Sequence, residues 1–213
     1  MHGVRRGVLI TFEGVEGSGK TTQAKGLVDW LREREIPYIF VREPGGTTVG
    51  EAIRSILLNP EHKEMHQKCE VLLFLAARSQ LTYEKILPAI QQKKVVVADR
   101  FYDSTYAYQV CGRDLSLRLI SIFNRFATAG IKSDLTFLVD LDIAKGRARG
   151  VFDDRMETAG KTYHQKVREG YLKLAHRAKK RIKILNGEKP LDDLRREVVD
   201  YTKAFLIRKG YKL

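Results

Sequence analysis

The segment Gly14-Val-Glu-Gly-Ser-Gly-Lys-Thr21 constrains this chain more than any other, because it satisfies the spacing G-x-x-x-x-G-K-[ST]. An apolar run, Val8–Glu13, precedes it with the pattern of a buried parallel strand. Residues 21–35 follow, with Ala24, Leu27, Val28 and Leu31 at the spacing of an amphipathic helix. Glycines at 14, 17 and 19 let successive backbone N–H groups converge on an anion. The positive N-terminal end of the helix points at the same spot. Gly14, Val15, Glu16, Gly17, Ser18, Gly19, Lys20, Thr21 and Thr22 are therefore expected to hold the phosphates of ATP. Lys20 should reach the β- and γ-phosphates, and the Thr21 hydroxyl should ligate Mg²⁺. GTPases and motor ATPases share this loop, so it does not by itself define a reaction.

The rest of the chain alternates strand and helix patterns. Further strands are expected at 38–41, 95–98, Leu135–Asp140 and 182–185, and a closing helix at 191–209 with Leu194, Val198 and Phe205 inward. No hairpin turn signals separate them, which implies βαβ crossovers. The expected fold class is α/β, of P-loop NTPase type: three layers, α/β/α, around a central parallel sheet of about five strands. No repeat, low-complexity tract or Pro/Ser-rich linker interrupts the 213 residues, so 1–213 reads as a single domain.

Composition narrows the setting more than the function. The chain is 43% hydrophobic and 31% charged, values of a globular protein. No run approaches the ~18 apolar residues of a membrane span, and Met-His-Gly-Val-Arg-Arg lacks the features of a secretion signal. A cytoplasmic location is expected, and Cys69 and Cys111, which match no metal spacing, are expected to be unpaired thiols. The net charge of +13 suits nucleic acid, a membrane surface or polyphosphate substrates equally. Six basic residues fall within 173–183, where Leu174 and Ala178 stand at helical spacing, so this run is expected to be the solvated face of a helix.

Three segments point past phosphate binding. Arg42-Glu43-Pro44-Gly45-Gly46-Thr47 is a polar turn at the end of the second strand, where such sheets present ligands. Asp99-Arg100 ends the third strand; the acid suits a metal and the arginine fork suits a second phosphate. In the apolar helical segment 70–78, Phe74 and Arg78 share a face at i, i+4, so a ring can stack on a base beside a donor to its carbonyl.

GVEGSGKTTQ, REPGGT, LLFLAAR and DRFYDSTYAYQ occur in this order, and together they resemble the thymidylate kinase family from Val8 to about Leu174. The resemblance implies transfer of the ATP γ-phosphate to dTMP, giving dTDP, with Mg²⁺. It implies that Glu16 meets the sugar 3′-hydroxyl, Phe74 stacks on thymine and Arg78 bonds its exocyclic oxygen. Arg100 would hold the 5′-phosphate, Asp99 would organise Mg²⁺, and Thr105 and Gln109 would face the base. Tyr108 would pack on the deoxyribose, with Glu43 and Ser104 also on the acceptor side, while Tyr106 is expected in the core. Leu75, Thr105 and Val110 are the positions at which the pocket could be retuned.

Residues 142–156, rich in arginine and glycine, suit a basic lid at about 143–157 that closes over ATP. In the family a catalytic basic residue stands either in the phosphate loop or in the lid. Gly17 occupies the loop position here, so the resemblance implies that the lid supplies it, with Arg147 and Arg149 the candidates and Arg155 a further one. Asp142 and Arg147 stand about one helical turn closer than the family pattern. The resemblance also implies a homodimer packed through helices, including 70–78 or 115–127, where Leu117, Ile120, Phe123 and Phe126 are apolar. Neither a membrane nor nucleic acid is an expected partner. The rival readings are a kinase for another nucleoside monophosphate and a nucleic-acid-linked ATPase.

Overall fold

The structure is a computed structural model and describes residues 6–149 and 154–213. Among them, five strands form one parallel sheet in the order β2-β3-β1-β4-β5. They are β1 (Val8–Glu13), β2 (Tyr38–Arg42), β3 (Val95–Asp99), β4 (Leu135–Asp140) and β5 (Ile182–Asn186). Each lies where the apolar runs place it, to within one residue at either end.

Alternate strand residues feed two cores, as the period of two requires. Val8, Ile10, Phe12, Val95, Val97 and Phe137 pack under α1 (Lys20–Glu33) and α9 (Leu191–Arg208). Leu9, Val96 and Ala98 face the other way, toward Leu81 and Ile86. That layer contains α3 (Gln67–Leu81), a π-helical turn (Thr82–Ile86) and α4 (Leu87–Gln91). Coverage of both faces explains why the strands read as unbroken apolar runs. Leu194, Val198 and Phe205 of α9 are buried as expected.

The register decides what meets at the sheet's carboxyl edge. Phe12 and Arg42 both pair with Asp99, so β1, β2 and β3 finish level. The chain then crosses β1 on its way from β3 to β4, which leaves a crevice at the end of β1.

Several helices complete the layers: α2 (Thr48–Leu58), α5 (Tyr102–Thr105) running into a π-helical stretch (Tyr106–Gly112), and α6 (Leu117–Ala127). Then come α7 (Ile143–Arg147) and α8 (Lys161–Arg177). The motifs do not mark α2, although Thr47 caps it by accepting from the Gly50 N–H at 2.9 Å. Of the expected lid, residues 150–153 lie outside the described residues. Its first part is the five-residue α7, started by the Asp142 carboxylate accepting from the Ala144 N–H at 2.9 Å.

Three sequence expectations need correction. The basic run at 173–183 is not one helix: α8 stops at Arg177, a turn follows, and Ile182 enters β5 beside Thr136. Arg181 in it is not solvated but paired with Asp103 at 2.6 and 3.0 Å. Tyr106 is half-buried beside a surface cavity rather than in a core cluster. Of the expected apolar residues of α6, Leu117, Phe123 and Phe126 are exposed, joined by Leu119 and Ile122, whereas Ile120 faces inward onto Val71 and Leu75. Cys69 and Cys111 are unpaired. No helix of the described residues is long and apolar enough to cross a membrane.

Phe12 and Phe137 are both fully buried, with ring centroids 5.2 Å apart at the centre of the sheet. Phe137→Ala is expected to lower the unfolding free energy by about 3–5 kcal/mol, read from urea denaturation. A loss below about 1 kcal/mol would show that this contact is not a packing centre.

Candidate active site

The phosphate loop closes β1 and opens α1. Gly19 caps the helix in the left-handed region at φ 91°, and neither a side-chain cap nor an acidic residue occupies the first turn. The positive end of α1 is thus left for an anion. Gly17 lies at φ 71°, and a Cβ there would collide with the Gly146 carbonyl of α7. A Cβ on Gly146 would in turn meet the Glu16 carbonyl at 2.5 Å. The start of the lid therefore rests directly on the loop, and no larger side chain fits at position 17.

Glu16 stands between two cations. It accepts from Lys20 Nζ at 2.9 Å and from Arg100 Nη2. Burial by itself would raise its carboxyl, but the adjacent Arg100 and Lys20 charges outweigh that and hold it well below the usual carboxylate range. Arg100, at the end of β3, adopts φ 70° and donates also to Tyr108 Oη at 3.1 Å and Tyr171 Oη at 3.0 Å. Such a backbone in a non-glycine residue is found mostly where the surroundings fix it. Here the Arg100 N–H donates to the Phe12 carbonyl at 2.9 Å.

Asp99 accepts from the Thr21 hydroxyl at 2.6 Å through one oxygen. Its other oxygen is buried without a hydrogen-bond partner among the described residues. This orphaned oxygen and a hydroxyl, both hard donors at the phosphate loop, fit a divalent cation that completes its shell with phosphate and water.

Two clefts open from this point. One, of about 280 Å³, is lined by Phe74, Arg78, Ser104, Thr105, Tyr108 and Gln109, together with Glu43, Asp99 and Arg100. The other, of about 590 Å³, is lined by residues 16–22 of the loop, Arg149 and the β5–α9 turn, including Gly187, Lys189 and Leu191. Glu16, Lys20 and Thr21 line both.

All the residues marked for the acceptor side therefore converge, but two details differ from expectation. The five N–H groups of Arg78 are all taken: by Glu43 twice (2.8 and 2.5 Å), Thr105 (2.5 Å), Asn124 (2.6 Å) and the Phe101 carbonyl (3.2 Å). Arg78 can reach a ligand only by releasing one of these partners. Leu75 and Val110 do not line the cleft; they pack between α3 and α6, and of the three retuning positions only Thr105 faces it. Val15 is a buried core residue that offers the loop only backbone.

The lid arginines separate. Arg149 lies on the wall of the larger cleft and donates to the Gly187 carbonyl at 3.0 Å. Arg147 points instead toward the Ala159 carbonyl at 3.3 Å. Arg155 is fastened on the opposite side, to buried Glu70 at 2.8 Å and to the Leu57 carbonyl at 2.9 Å.

Four residues that the motifs do not mark contribute to the site. Glu70 also holds Arg113 at 3.0 Å and Gln109 at 3.3 Å. Arg54 and Met156 line the smaller cleft. Glu13, fully buried, accepts from the Phe101 N–H (2.8 Å), the Ser104 hydroxyl (2.6 Å) and the Tyr171 hydroxyl (3.0 Å), and so braces the turn that carries Arg100. Glu13 and Glu70 carry one usable signal, a carboxylate at the end of an apolar run: Glu13 closes 8–13 and Glu70 opens 70–77.

A phosphate loop whose residues form a shared wall between two ligand clefts defines a P-loop phosphotransferase. Comparison with known proteins specifies which kind. Residues 12–198 match the family described as thymidylate kinase, and the chain belongs to that family. It is 42% identical over 203 residues to the thymidylate kinase of Kosmotoga olearia, covering 94% of this chain and 96% of that one. It is 41% identical to that of Fervidobacterium nodosum, covering 93% and 100%. Among solved structures, the crystal structure of thymidylate kinase from Ehrlichia chaffeensis superposes with a TM-score of 0.78 at 29% identity, covering 92% of this chain and 98% of that one.

Burial, and after it the nearby Asp103 carboxylate, push the Glu13 carboxyl up from 4.5 to about 7. The folded protein then binds this proton more tightly than the unfolded chain. Stability from this group is full below pH 4.5 and is lost as pH rises through about 7. Between pH 5 and 8 the wild type should lose roughly 1–3 kcal/mol that Glu13→Gln does not, measured by urea midpoints. Parallel pH dependence in the two proteins would contradict this.

Proposed function

We propose that this chain transfers the γ-phosphoryl group of ATP to dTMP, giving dTDP and ADP. The observation that carries the reading is the shared wall: Glu16, Lys20 and Thr21 face both clefts, where a donor and an acceptor phosphate must meet. ATP occupies the larger cleft, its phosphates on the loop and its base toward the β5–α9 turn. dTMP occupies the smaller one, with thymine on Phe74, the sugar against Tyr108 and Glu16, and the 5′-phosphate on Arg100. Glu43, Ser104, Thr105 and Gln109 complete that side.

Without nucleotides Glu16 neutralises Lys20 and Arg100. Incoming phosphates take over both cations and leave the carboxylate to the sugar hydroxyl. Mg²⁺, held through Thr21 and Asp99, would neutralise charge on the transferring phosphoryl group. Arg78 exchanges one hydrogen bond, to Thr105 or Asn124, for the thymine carbonyl. Arg149 is the lid arginine best placed to reach the transferring group, since Arg155 is tied to Glu70 and Arg147 faces away. The single-domain reading and the lid at about 143–157 are part of this proposal, as is a cytoplasmic location. A homodimer is supported by Leu72 and Phe126, 55% and 81% exposed on neighbouring α3 and α6.

ADP release with ATP and Mg²⁺ should require an acceptor and should favour dTMP over dUMP and purine monophosphates. Equal rates across that panel would remove the thymidylate assignment, and turnover with DNA alone would remove the kinase. Lys20→Ala should be inactive throughout. Arg149→Ala should lower kcat by about 10²–10³ with little change in the KM for dTMP, whereas Arg155→Ala should act mainly on that KM. A reversed pattern would move the catalytic role to Arg155.

A further inference from the structure

A third cavity, of about 670 Å³, opens between α6 and the end of α8, away from both clefts. That volume suits a small organic ligand. Its apolar floor includes Ile120, Ile131 and Leu174, and the half-buried rings of Tyr102 and Tyr106 stand in its wall. Arg125, Lys132 and Arg177 also line it. These three are exposed and have no hydrogen-bond or ion-pair partner among the described residues. Arg181 differs, because Asp103 already neutralises it. The hollow thus combines flat apolar surface with three unspent positive charges, and it lies across α6 from the exposed Leu119 and Phe126, so pairing through that face leaves it open.

One lining residue connects the cavity to the chemistry. Asn124 accepts from Arg78 at 2.6 Å, and Arg78 has no N–H to spare. A ligand that draws the Asn124 carboxamide toward the cavity would free one Arg78 donor for the acceptor cleft.

We propose that this cavity binds a phosphorylated nucleoside, its phosphates on Arg125, Lys132 and Arg177 and its base against Tyr102 and Tyr106, and that occupancy tightens acceptor binding through Asn124. The base site follows from the Tyr106 ring, with the Tyr102 ring, already covered by Arg181 at 5.5 Å, as a side wall, and the phosphate site from cations with no hydrogen-bond or ion-pair partner among the described residues. The coupling, unlike the binding, rests on Arg78 serving the acceptor cleft as proposed above. Linkage requires that acceptor occupancy strengthen ligand binding by the same factor.

The probe is dTTP, measured by equilibrium dialysis against the full chain with a non-hydrolysable ATP analogue and dTMP saturating the two clefts. One further equivalent should bind, and it should bind at least tenfold more weakly to Lys132→Glu/Arg177→Glu, whose altered residues line neither cleft. The wild-type KM for dTMP should fall as dTTP occupies the cavity, while Asn124→Ala should bind dTTP without that response. No further equivalent, or equal binding by the charge-reversed protein, overturns the site. Binding with an unchanged KM overturns the coupling. Should dTMP prove not to be the acceptor, the charge-reversed protein still distinguishes cavity binding from binding in the clefts.

Discussion

One carboxylate, that of Glu16, holds the two halves of the site together. It sits in the phosphate loop, bonded to Lys20 on the donor side and to Arg100 on the acceptor side. Two cations this close, one of them deeply buried, would repel each other and pay for lost hydration without a negative charge between them. Glu16 supplies that charge. The rest of the site is arranged to keep this contact in place. The strand register levels β1 with β3, Tyr108 and Tyr171 receive the remaining Arg100 donors, and Glu13 anchors the turn beneath.

The backbone of the same loop carries the next element. α7 rests on the phosphate loop through Gly146 over Gly17, backbone against backbone. This packing excludes a basic side chain from position 17. Arg149 and Arg155 differ in location: the first borders the larger cleft, and the second is fastened to buried Glu70.

The strands were legible because helices cover both sheet faces, which leaves each strand a continuous apolar run. The phosphate loop was legible because its spacing follows from a local task. α2 went unmarked although Val49, Ala52, Ile53, Ile56 and Leu57 stand at helical spacing; Val49 and Ile56 are exposed, so much of this stripe does not face the core. The run 173–183 looked helical because Leu174 and Ala178 stand at helical spacing, yet Ile182 belongs to the sheet through pairing with Thr136, a contact far away in sequence. Glu13 and Glu70 look like ordinary polar ends of apolar segments, and only their partners from other elements reveal buried networks.

The sequence by itself determined the parallel sheet, the phosphate loop, and the order of segments that places the chain among thymidylate kinases. These depend on periodicity and on short-range spacing, which a chain carries along its length. Tertiary structure decided that Arg78 has no free donor, that Asn124 is one of its partners, and that three lid arginines face three directions. It also decided that Gly17 lies beneath Gly146. Each of these depends on which side chains from distant segments compete for one donor or one space, and that competition exists only once the sheet register has set them side by side.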